Sequence, residues 1–274
     1  MSFPEVDLKE KAKEIRYHTC DAIATHGAGH LGGCMSCVEL ITVLYYKVLN
    51  VDPKNPQMEG RDRVVMSKGH AGPTLYATLA LKGFFPMDWL KTLNAPNTNL
   101  PSHCDMNKTP GIDFTAGSLG QGFGCAVGLA KGSQIMKDGA YIYAILGDGE
   151  SQEGSIWEAA MTASQQKLGN LIAFTDYNKA QIDDWVDNMV SLEPIMDKWE
   201  SFGFNVFECD GHDMDAIYKT ICLAKAKGKN NKPSMIILHT TKGKGVSFAE
   251  ANQVGCHHMG IAGEMAAQMY SEVK

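Results

Sequence analysis

The apolar positions along the chain predict helices that alternate with short, buried strands. Residues 5–24 carry apolar side chains at helical spacing and predict a first helix; a Gly-rich loop separates it from a second helix over about 36–48. Short, continuously apolar runs predict strands at 63–67, 141–146, 171–175, 205–208 and 234–239. Helical patterns lie between and around these strands, at 74–81, 87–93, 120–131, 155–167, 195–202 and 214–225.

This order of elements indicates the α/β fold class. Continuously apolar strands separated by helices are typical of parallel sheets built from βαβ units. We therefore predict a single domain over residues 1–274, with a doubly wound, mainly parallel sheet flanked by helices. Residues 94–119 are rich in Pro, Asn, Thr and Gly and predict a long functional loop. The segment from about 241 shows no core periodicity and is predicted to be loosely structured.

Composition and charge narrow the classes of function. The chain has 274 residues with 25 basic and 31 acidic side chains, and a net charge of −6 argues against a nucleic-acid binder. The longest apolar runs are far shorter than the ~20 residues that a membrane span requires. Because the N-terminal residues are charged and lack the apolar core of a secretory signal, we expect a cytoplasmic protein with no nucleic-acid or membrane partner.

The eight cysteines are too dilute for a disulfide scaffold. Cys34 and Cys37 have the spacing of a zinc or redox motif, but neither a second such pair nor a paired-histidine pattern accompanies them. Zinc binding and redox chemistry stay open as alternatives. The favoured interpretation of all eight is a small buried hydrophobic residue.

Two familiar nucleotide signatures are absent from the sequence. A dinucleotide fingerprint requires GxGxxG directly after a strand, but the third glycine position after Gly147-Asp-Gly149 is Gln152. The turn at Gly120-Gln-Gly122 fails in the same way at Cys125. The segment 241–247 lacks the spacing of a phosphate-binding P-loop. These departures argue against a nicotinamide dehydrogenase and a P-loop nucleotidase.

Asp148 and Asn178 are predicted to meet at one edge of the sheet. The strand before Gly147-Asp148-Gly149 ends at this motif, the helix at 155–167 crosses back, and the next strand ends shortly before Asn178. A right-handed crossover of this kind places the two parallel strands about 4.8 Å apart when they are adjacent. Both side chains then emerge at the carboxyl edge, where open α/β sheets bind ligands.

The residue types at this edge predict a metal and a diphosphate. A carboxylate, an amide oxygen and a nearby backbone carbonyl form a hard ligand set that suits Mg²⁺ or Ca²⁺ completed by diphosphate oxygens and water. Gly149 permits close approach of a phosphate, and the following helix N-terminus favours its charge. The alternative is a plain strand-to-helix turn with Asp148 as N-cap. The thirty-residue spacing from Asp148 to Asn178 favours the metal–diphosphate interpretation.

Several motifs, spread over roughly residues 10–260, resemble the thiamine-diphosphate-binding part of transketolases and occur in the same order. They are Gly29-His30-Leu-Gly-Gly33, Arg63-Val-Val-Met-Ser-Lys-Gly-His70, Pro101-Ser-His103, Thr115-Ala-Gly-Ser-Leu-Gly-Gln-Gly122, GDGE-x-x-EG-x-x-WEA at 147–159, Leu168-Gly-Asn-Leu171 and Asp176-x-Asn178-x-x-Gln-Ile-Asp183. The resemblance implies thiamine diphosphate as cofactor together with Mg²⁺, for which Ca²⁺ or Mn²⁺ could substitute.

Individual roles follow from the same resemblance. It implies that the metal ligands are Asp148, Asn178 and the main-chain carbonyl of Ala180. The implied cofactor-binding residues are His70, Gly117, Leu119, Gly147, Asp148, Gly149, Glu150, Asn178 and His258. The implied catalytic residues are His30, His70, His103, His258 and Glu153. Of these, Glu153 is expected at a subunit interface near the aminopyrimidine ring of the cofactor.

The chain departs from the family near its C-terminal end. Transketolases commonly carry His-Gly-x-Ala-Pro or His-Gly-Ala-Pro here, whereas this sequence reads Cys-His-His-Met-Gly-Ile-Ala at 256–262. His258 is the favoured counterpart of the family histidine, and His257 is the alternative. Met259 follows His258 where the family motif has a glycine, so we expect a bulkier residue beside the substrate channel. The usual sugar-phosphate specificity is therefore not carried over. Three histidines match no motif and are predicted to be structural or surface residues: His18, His212 and His239.

The activity implied by the resemblance is transfer of a two-carbon ketol unit from a ketose, its phosphate or an analogue to an aldose. Complete transketolase chains are more than twice this long, and the histidine loop with Gly32 and Gly33 resembles the split form. We therefore expect an N-terminal subunit that is active only with a C-terminal subunit carrying the pyrimidine-binding domain, in an α2β2 heterotetramer. The alternatives are a subunit of another thiamine-diphosphate enzyme, similar to deoxyxylulose-phosphate synthase or a 2-oxoacid dehydrogenase, and a non-catalytic cofactor-binding regulatory subunit.

Overall fold

Seven strands occur in the computed structural model, which describes residues 6–274. They are β1 (Ala28–Gly29), β2 (Arg63–Met66), β3 (Ile142–Gly147), β4 (Leu171–Tyr177), β5 (Asn205–Asp210), β6 (Ser234–His239) and β7 (Met259–Gly260). Five of them form a parallel sheet in the spatial order β2-β3-β4-β6-β5. The two-residue strands β1 and β7 pair antiparallel outside it. The predicted fold class is confirmed.

Helices connect these strands and cover the sheet. The α-helices are α1 (Leu8–His26), α2 (Leu31–Met35), α3 (Val38–Val43), α4 (Gly72–Lys82), α5 (Gln121–Met136), α6 (Gly154–Gln165), α7 (Val186–Met189), α8 (Ile195–Ser201), α9 (Met214–Gly228), α10 (Ser247–Ala251) and α11 (Gly263–Val273). A π-helical turn follows α3 at Leu44–Val48, and 3₁₀ turns occur at Gly69–Ala71, Met87–Thr92 and Gly149–Gln152. Within residues 6–274, no helix is long and apolar enough to cross a membrane.

Local sequence explains where α1 begins and ends. The Asp7 side chain accepts hydrogen bonds from the backbone N–H groups of Lys9 at 2.9 Å and Glu10 at 3.3 Å, which would otherwise lack partners in the first helical turn. At the other end, Gly27 adopts a φ of 95° and its N–H donates to the carbonyl of Ile23. A left-handed residue of this kind is the usual helix stop.

Strands β3 and β4, in the interior of the sheet, are buried on both faces, as their continuously apolar sequences require, whereas the edge strand β5 is partly exposed. On one face, Tyr143 and Ile145 of β3 belong to a core formed with α1, α3 and α4. On the other face, Ile142 and Ala144 belong to a second core formed with α5, α6 and α8. Because alternate residues of one strand point to opposite faces, β3 contributes to both cores. This double burial places the central strand ends deep in the molecule.

Most predicted elements are confirmed, with shifted ends. The helix predicted over about 36–48 begins at Val38 as α3 and ends in the π-helical turn, while the short helix α2 lies in the predicted Gly-rich loop before it. The helix predicted over 87–93 is a 3₁₀ turn. The predicted start of the first helix, at residue 5, lies outside the described residues, and α1 begins at Leu8. These differences concern short elements, whose boundaries depend on tertiary packing as much as on local pattern.

The C-terminal segment differs from its prediction. Instead of a loosely structured tail, residues after 241 contain α10, β7 and α11. Ile261, Met269 and Val273 are buried in the same core as α1, and Tyr270 donates a hydrogen bond to Asp21 at 2.9 Å. The apolar positions are few because α11 packs against α1 through one narrow face, and a sparse pattern of this kind is hard to recognise from sequence.

Candidate active site

A cavity of about 190 Å³ lies at the carboxyl edge of the sheet, where β3 and β4 end. Gly147 pairs with Asp176 across these neighbouring parallel strands, so the two strands are adjacent, as predicted. Asp148 and Asn178 therefore follow at the same edge, and both line the cavity. Other predicted site residues in its wall are His70, Leu119, Gly147, Gly149, Glu150, Glu153 and Ala180.

Asp148 is a buried carboxylate with two backbone donors. Its Oδ1 accepts from Gly149 N at 2.7 Å, and its Oδ2 accepts from Lys179 N at 2.5 Å. The first contact is that of a turn cap, but the second reaches the end of the neighbouring strand, which a plain N-cap does not explain. Burial and the negative charge of Asp176 raise the pKa of Asp148 to about 7. A cation in the cavity would relieve this cost.

Asp176 orients the Asn178 side chain, and the positive charge of Lys68 compensates the charge of Asp176. Asn178 Nδ2 donates to Asp176 Oδ2 at 3.1 Å, while Asn178 Oδ1 accepts from Ala180 N at 3.1 Å. Lys68 Nζ and Ser36 Oγ donate to the same Asp176 oxygen, at 2.5 and 2.6 Å. Burial opposes ionisation of Asp176, but the Lys68 charge and the hydrogen bonds from Lys68, Ser36 and Thr240 together outweigh it and lower the pKa of Asp176. The network fixes which face of the Asn178 amide carries the oxygen.

Lys242 is a cavity residue that sequence reasoning missed. Its Nζ donates to the carbonyl of Ala180 at 2.8 Å and lies 3.1 Å from His257 Nδ1. Burial lowers the pKa of Lys242 to about 8. The signal in the sequence was a Lys-Gly-Lys-Gly loop directly after a buried strand, which we tested only against the P-loop pattern.

Glu150 joins separate segments around the cavity. Its Oε1 accepts from Ser67 Oγ at 2.5 Å and from Gly120 N at 2.9 Å, and its Oε2 accepts from Gly147 N at 3.0 Å. Burial raises the pKa of Glu150. Because these three protein donors occupy the carboxylate, its contacts position the glycine turn that brings Leu119 to the cavity.

Five histidines form one cluster around His30. The His30 ring centroid lies 5.5 Å from that of His70, 5.3 Å from His103, 5.5 Å from His257 and 4.8 Å from His258. Burial lowers the pKa of His30 to about 4 and of His257 to about 3, and it also lowers the pKa of His70 and His103. These four rings are therefore neutral at pH 7, where each has one nitrogen that donates and one that accepts.

The two neighbouring C-terminal histidines occupy different positions. His257 lines the cavity, with its ring centroid 4.9 Å from that of His70. His258 is exposed and lies against His30 on the outer side of the cluster. This placement favours His257, the alternative in the sequence analysis, over His258 as the residue that faces a bound cofactor.

Two other predicted residues lie at the rim of the site. Glu153 is exposed and lines the cavity at the start of α6. Gly117 is exposed and lies next to His103, where an added Cβ would come within 3.8 Å of the His103 side chain. The structure thus brings Glu153 to the cavity itself and Gly117 to the outer part of the histidine cluster.

A cluster of charged side chains braces the loop after β6. Arg16 pairs with Glu39 at 2.5 Å, and His212 Nδ1 lies 3.1 Å from the other Glu39 oxygen. His212 Nε2 accepts the backbone N–H of Thr241 at 2.9 Å, and Arg16 Nε donates to the carbonyl of Lys244 at 3.2 Å. Because Nε2 is the acceptor, the His212 proton lies on Nδ1 and is donated to Glu39. Sequence reasoning gave His212 no link to the site.

The CxxC pair shows no arrangement for zinc or redox chemistry. Cys34 and Cys37 are buried free thiols, and burial raises the pKa of Cys34 to about 11 and of Cys37 to about 12. In the described part of the chain, no three Cys, His, Asp or Glu side chains are placed to hold a metal ion together. The pair instead fits the buried hydrophobic role.

The donors at the cavity fit a divalent metal with a diphosphate. Asp148, the Asn178 amide oxygen and the Ala180 carbonyl supply hard oxygen ligands at one edge. Only one of the three is an acidic side chain, so this set differs from a cluster of three Asp, Glu, His or Cys side chains. Beside them, Gln181 Nε2 is a buried amide nitrogen that has no partner among the described residues. Lys242 adds a positive charge. Both groups suit phosphate oxygens.

Comparison with known proteins agrees with this arrangement. The family model described as transketolase, thiamine diphosphate binding domain, matches residues 8–271. The chain is 50% identical to a 6-deoxy-6-sulfo-D-fructose transketolase subunit of Clostridium sp. (strain MSTE9), over 100% of this chain and 98% of that protein. It is 39% identical to an apulose-4-phosphate transketolase subunit of Actinobacillus succinogenes, with the same coverage of 100% and 98%.

A solved structure extends the likeness to the fold. Transketolase from Leishmania mexicana superposes with a TM-score of 0.91 at 30% identity, over 98% of this chain. The match covers 42% of that chain, so the protein spans about two fifths of this solved relative. It spans a similar 42% of human transketolase, to which it is 34% identical.

Proposed function

The chain belongs to the transketolase family, and from this premise we propose that it is the diphosphate-binding subunit of a two-chain transketolase that depends on thiamine diphosphate. Residues 1–274 form one diphosphate-binding domain in this proposal. The observation that carries it is the meeting of Asp148, Asn178 and Ala180 at one sheet edge, with the histidine cluster beside them. The expected cytoplasmic location, without nucleic-acid or membrane partners, is part of the same proposal.

The oxygen ligands hold Mg²⁺, and the surrounding groups hold the diphosphate. Asp148, Asn178 and the carbonyl of Ala180 bind the metal, since all three are hard oxygen donors on the cavity wall. Lys242 supplies a positive charge to the same cavity. Bound thiamine diphosphate supplies the carbanion chemistry by which a two-carbon ketol unit leaves a ketose and joins an aldose.

The histidine cluster positions substrate hydroxyls and moves protons. His30 lies at the centre of the cluster with His103 beside it, both outside the residues that line the cavity, and their lowered pKa values keep them neutral. A neutral imidazole accepts a proton at one nitrogen while it donates a hydrogen bond at the other. His70 and His257 lie deeper, in the cavity wall, and face the bound cofactor.

Two relatives support the two-chain organisation. Both are named as subunits, and the chain matches them over 98% of their length at 50% and 39% identity. The partner in our proposal is a C-terminal subunit with the pyrimidine-binding domain, in an α2β2 heterotetramer. The exposed Glu153 at the cavity rim is available to such a partner.

The proposed donor is a ketose with an anionic group at the end remote from the carbonyl. The substrates named for the two subunits that are similar to this chain carry a sulfonate and a phosphate, respectively. Both groups are tetrahedral oxyanions, so one recognition chemistry serves either. The test must therefore include both kinds of donor.

The proposal is tested by ketol transfer with and without the partner. The purified chain with thiamine diphosphate and Mg²⁺ is assayed on 6-deoxy-6-sulfo-D-fructose and on ketose phosphates, each with a panel of aldoses, before and after addition of the C-terminal subunit. We expect turnover only in the complex and its loss with EDTA. In the same complex, His103→Ala should lower ketol transfer more than cofactor affinity.

Other outcomes contradict the proposal in distinct ways. Substantial activity without the partner refutes the two-chain form. Deoxyxylulose-phosphate synthesis or 2-oxoacid turnover identifies a different thiamine-diphosphate enzyme. Cofactor binding without turnover on any donor, in the complete complex, identifies a regulatory subunit.

A further inference from the structure

Gln181 carries a buried hydrogen-bond donor that no protein group satisfies. Its side-chain Nε2 is buried without a partner in the part of the chain that the structure describes, and the residue lines the cavity. Leaving a buried polar group unpaired costs free energy, so native structures almost always supply a partner. An unpaired donor on a residue of the cavity wall is satisfied when a ligand brings an acceptor within its reach.

The backbone holds Gln181 in this position. Its N–H donates to the carbonyl of Asp184 at 3.1 Å, and the adjacent Ala180 forms a β-bridge with Trp185. Its side chain lies across Gly149, where an added Cβ would come within 2.9 Å of Gln181 Oε1 and 3.2 Å of Gln181 Cβ. The missing side chain at Gly149 therefore makes room for Gln181 as well as for a phosphate.

The acceptors on the protein side of the cavity already have donors. Asp148 accepts from two backbone N–H groups, and the Ala180 carbonyl accepts from Lys242. An amide nitrogen cannot coordinate a metal, because its lone pair is delocalised into the carbonyl. The acceptor that fits beside Gly149 is an oxyanion, which also suits the nearby lysine.

We propose that the Gln181 carboxamide donates a hydrogen bond to a phosphate oxygen of bound thiamine diphosphate, as a further cofactor-binding residue of this chain. The inference rests on the proposed function. It assigns to Gln181 a role in binding the diphosphate rather than in the transfer step. Its loss should therefore weaken cofactor affinity and leave turnover at saturating cofactor largely unchanged.

The test measures binding by isothermal titration of the complete two-chain complex with Mg²⁺–thiamine diphosphate, and separately with Mg²⁺–pyrophosphate as a probe for the diphosphate alone. Gln181→Met keeps the size of the side chain and removes the donor; we expect both affinities to fall roughly 10- to 100-fold, as for a lost hydrogen bond to a charged group. Gln181→Glu places a carboxylate against the phosphate and should weaken binding further than Gln181→Met.

Gln152 provides the matched control. It is a second glutamine in the wall of the same cavity, but its Nε2 already donates to the carbonyl of Val190 at 2.8 Å. Gln152→Met should leave both affinities within about twofold of the wild type, because its donor already has a protein partner. Thermal unfolding of each variant establishes that the fold is retained.

The outcomes separate this inference from the function on which it rests. If the wild type binds both probes and Asp148→Ala does not, but Gln181→Met binds like the wild type, the role of Gln181 is refuted and the proposed function stands. If Gln181→Glu binds more tightly than the wild type, the side-chain oxygen acts on the metal and the donor role is wrong. If the wild-type complex binds neither probe, the proposed function and the inference fail together.

Discussion

The two edges of the central sheet each carry a cavity, and the larger one has fewer marks of a functional site. At the carboxyl edge, about 190 Å³ is enclosed by buried ionisable groups, among them Asp148 and Lys242. At the amino edge, a space of about 380 Å³ is lined by Lys137, Lys167 and Lys229. These three lysines are exposed, so their charges remain in water. Volume alone would favour the amino edge over the carboxyl edge, where we propose the cofactor site.

The direction of the helices explains the contrast. Lys137, Lys167 and Lys229 stand at or next to the ends of α5, α6 and α9, where unpaired carbonyls carry partial negative charge. A lysine in that position stabilises its own helix and requires no ligand. At the carboxyl edge the charges are buried at a cost that helix ends do not explain. Buried charge therefore favours the carboxyl edge as the ligand site over the basic surface at the amino edge.

Among variants that test the difference between the two edges, Asp148→Ala is expected to have the largest effect. Removal of the buried carboxylate eliminates one of the proposed metal ligands, so binding of thiamine diphosphate at micromolar concentration should be abolished while the fold is retained. Titration of the cofactor with Mg²⁺ and a thermal unfolding curve measure the two quantities. Asp183→Ala, at an exposed carboxylate in the same cavity wall, is the control. Wild-type affinity in the Asp148 variant would contradict the metal assignment.

Lys68→Met should test how much the buried ion pair at the carboxyl edge contributes to the stability of the fold. Lys68 is 1% exposed and pairs with Asp176, which is fully buried, so its loss leaves an uncompensated carboxylate. The free energy of unfolding should fall by about 3–5 kcal/mol, measured in urea. Lys137→Met at the amino edge provides the comparison. Equal losses for the two variants would remove the distinction between the edges.

His212→Ala should have an intermediate effect through the loop after β6. The variant removes the acceptor of the Thr241 N–H and one contact of Glu39, so Lys242 loses part of its support. We expect stability to fall by about 1–3 kcal/mol and cofactor affinity to fall several-fold. His239→Ala is the matched control, since His239 pairs with Glu208 at the surface. If both variants bind cofactor equally, the contacts of His212 with Thr241 and Glu39 do not support the site.

The smallest effect is expected at the amino edge. Lys137→Gln combined with Lys167→Gln should lower stability by no more than about 1 kcal/mol for each residue, as for charges at helix ends. Cofactor affinity and ketol transfer should match the wild type. A clear loss of either, in the titration or in the assay of the complex, would show that the amino edge contributes to function.

Short-range patterns were sufficient for the strands and for the core of the site. The apolar runs before Gly147 and before Asn178 predict two buried strands, and the helix between them makes the strands parallel neighbours. Once these are neighbours, the meeting of Asp148 with Asn178 follows from their distance to the strand ends. The histidine loops were identified from a family resemblance and not from periodicity, because a loop has no repeating pattern to read.

Other features depend on contacts between distant parts of the chain. Lys242 reaches Ala180, and His212 reaches Glu39 from 173 positions away. Whether His257 or His258 faces the cavity depends on how the segment after α10 crosses the molecule, and neither residue's neighbours in sequence reveal it. The same holds for α11, whose few apolar residues become recognisable as core only when α1 lies against them.

Local sequence therefore determines that the sheet is parallel and which polar side chains follow the end of each strand. It does so because hydrophobic periodicity and turn chemistry act over a few residues. Packing decides which of those groups are buried, which carboxylate receives a lysine and which amide is left without a partner. Burial and pairing are properties of the space between elements, and that space exists only after the sheet, its two helical layers and the C-terminal segment have come together.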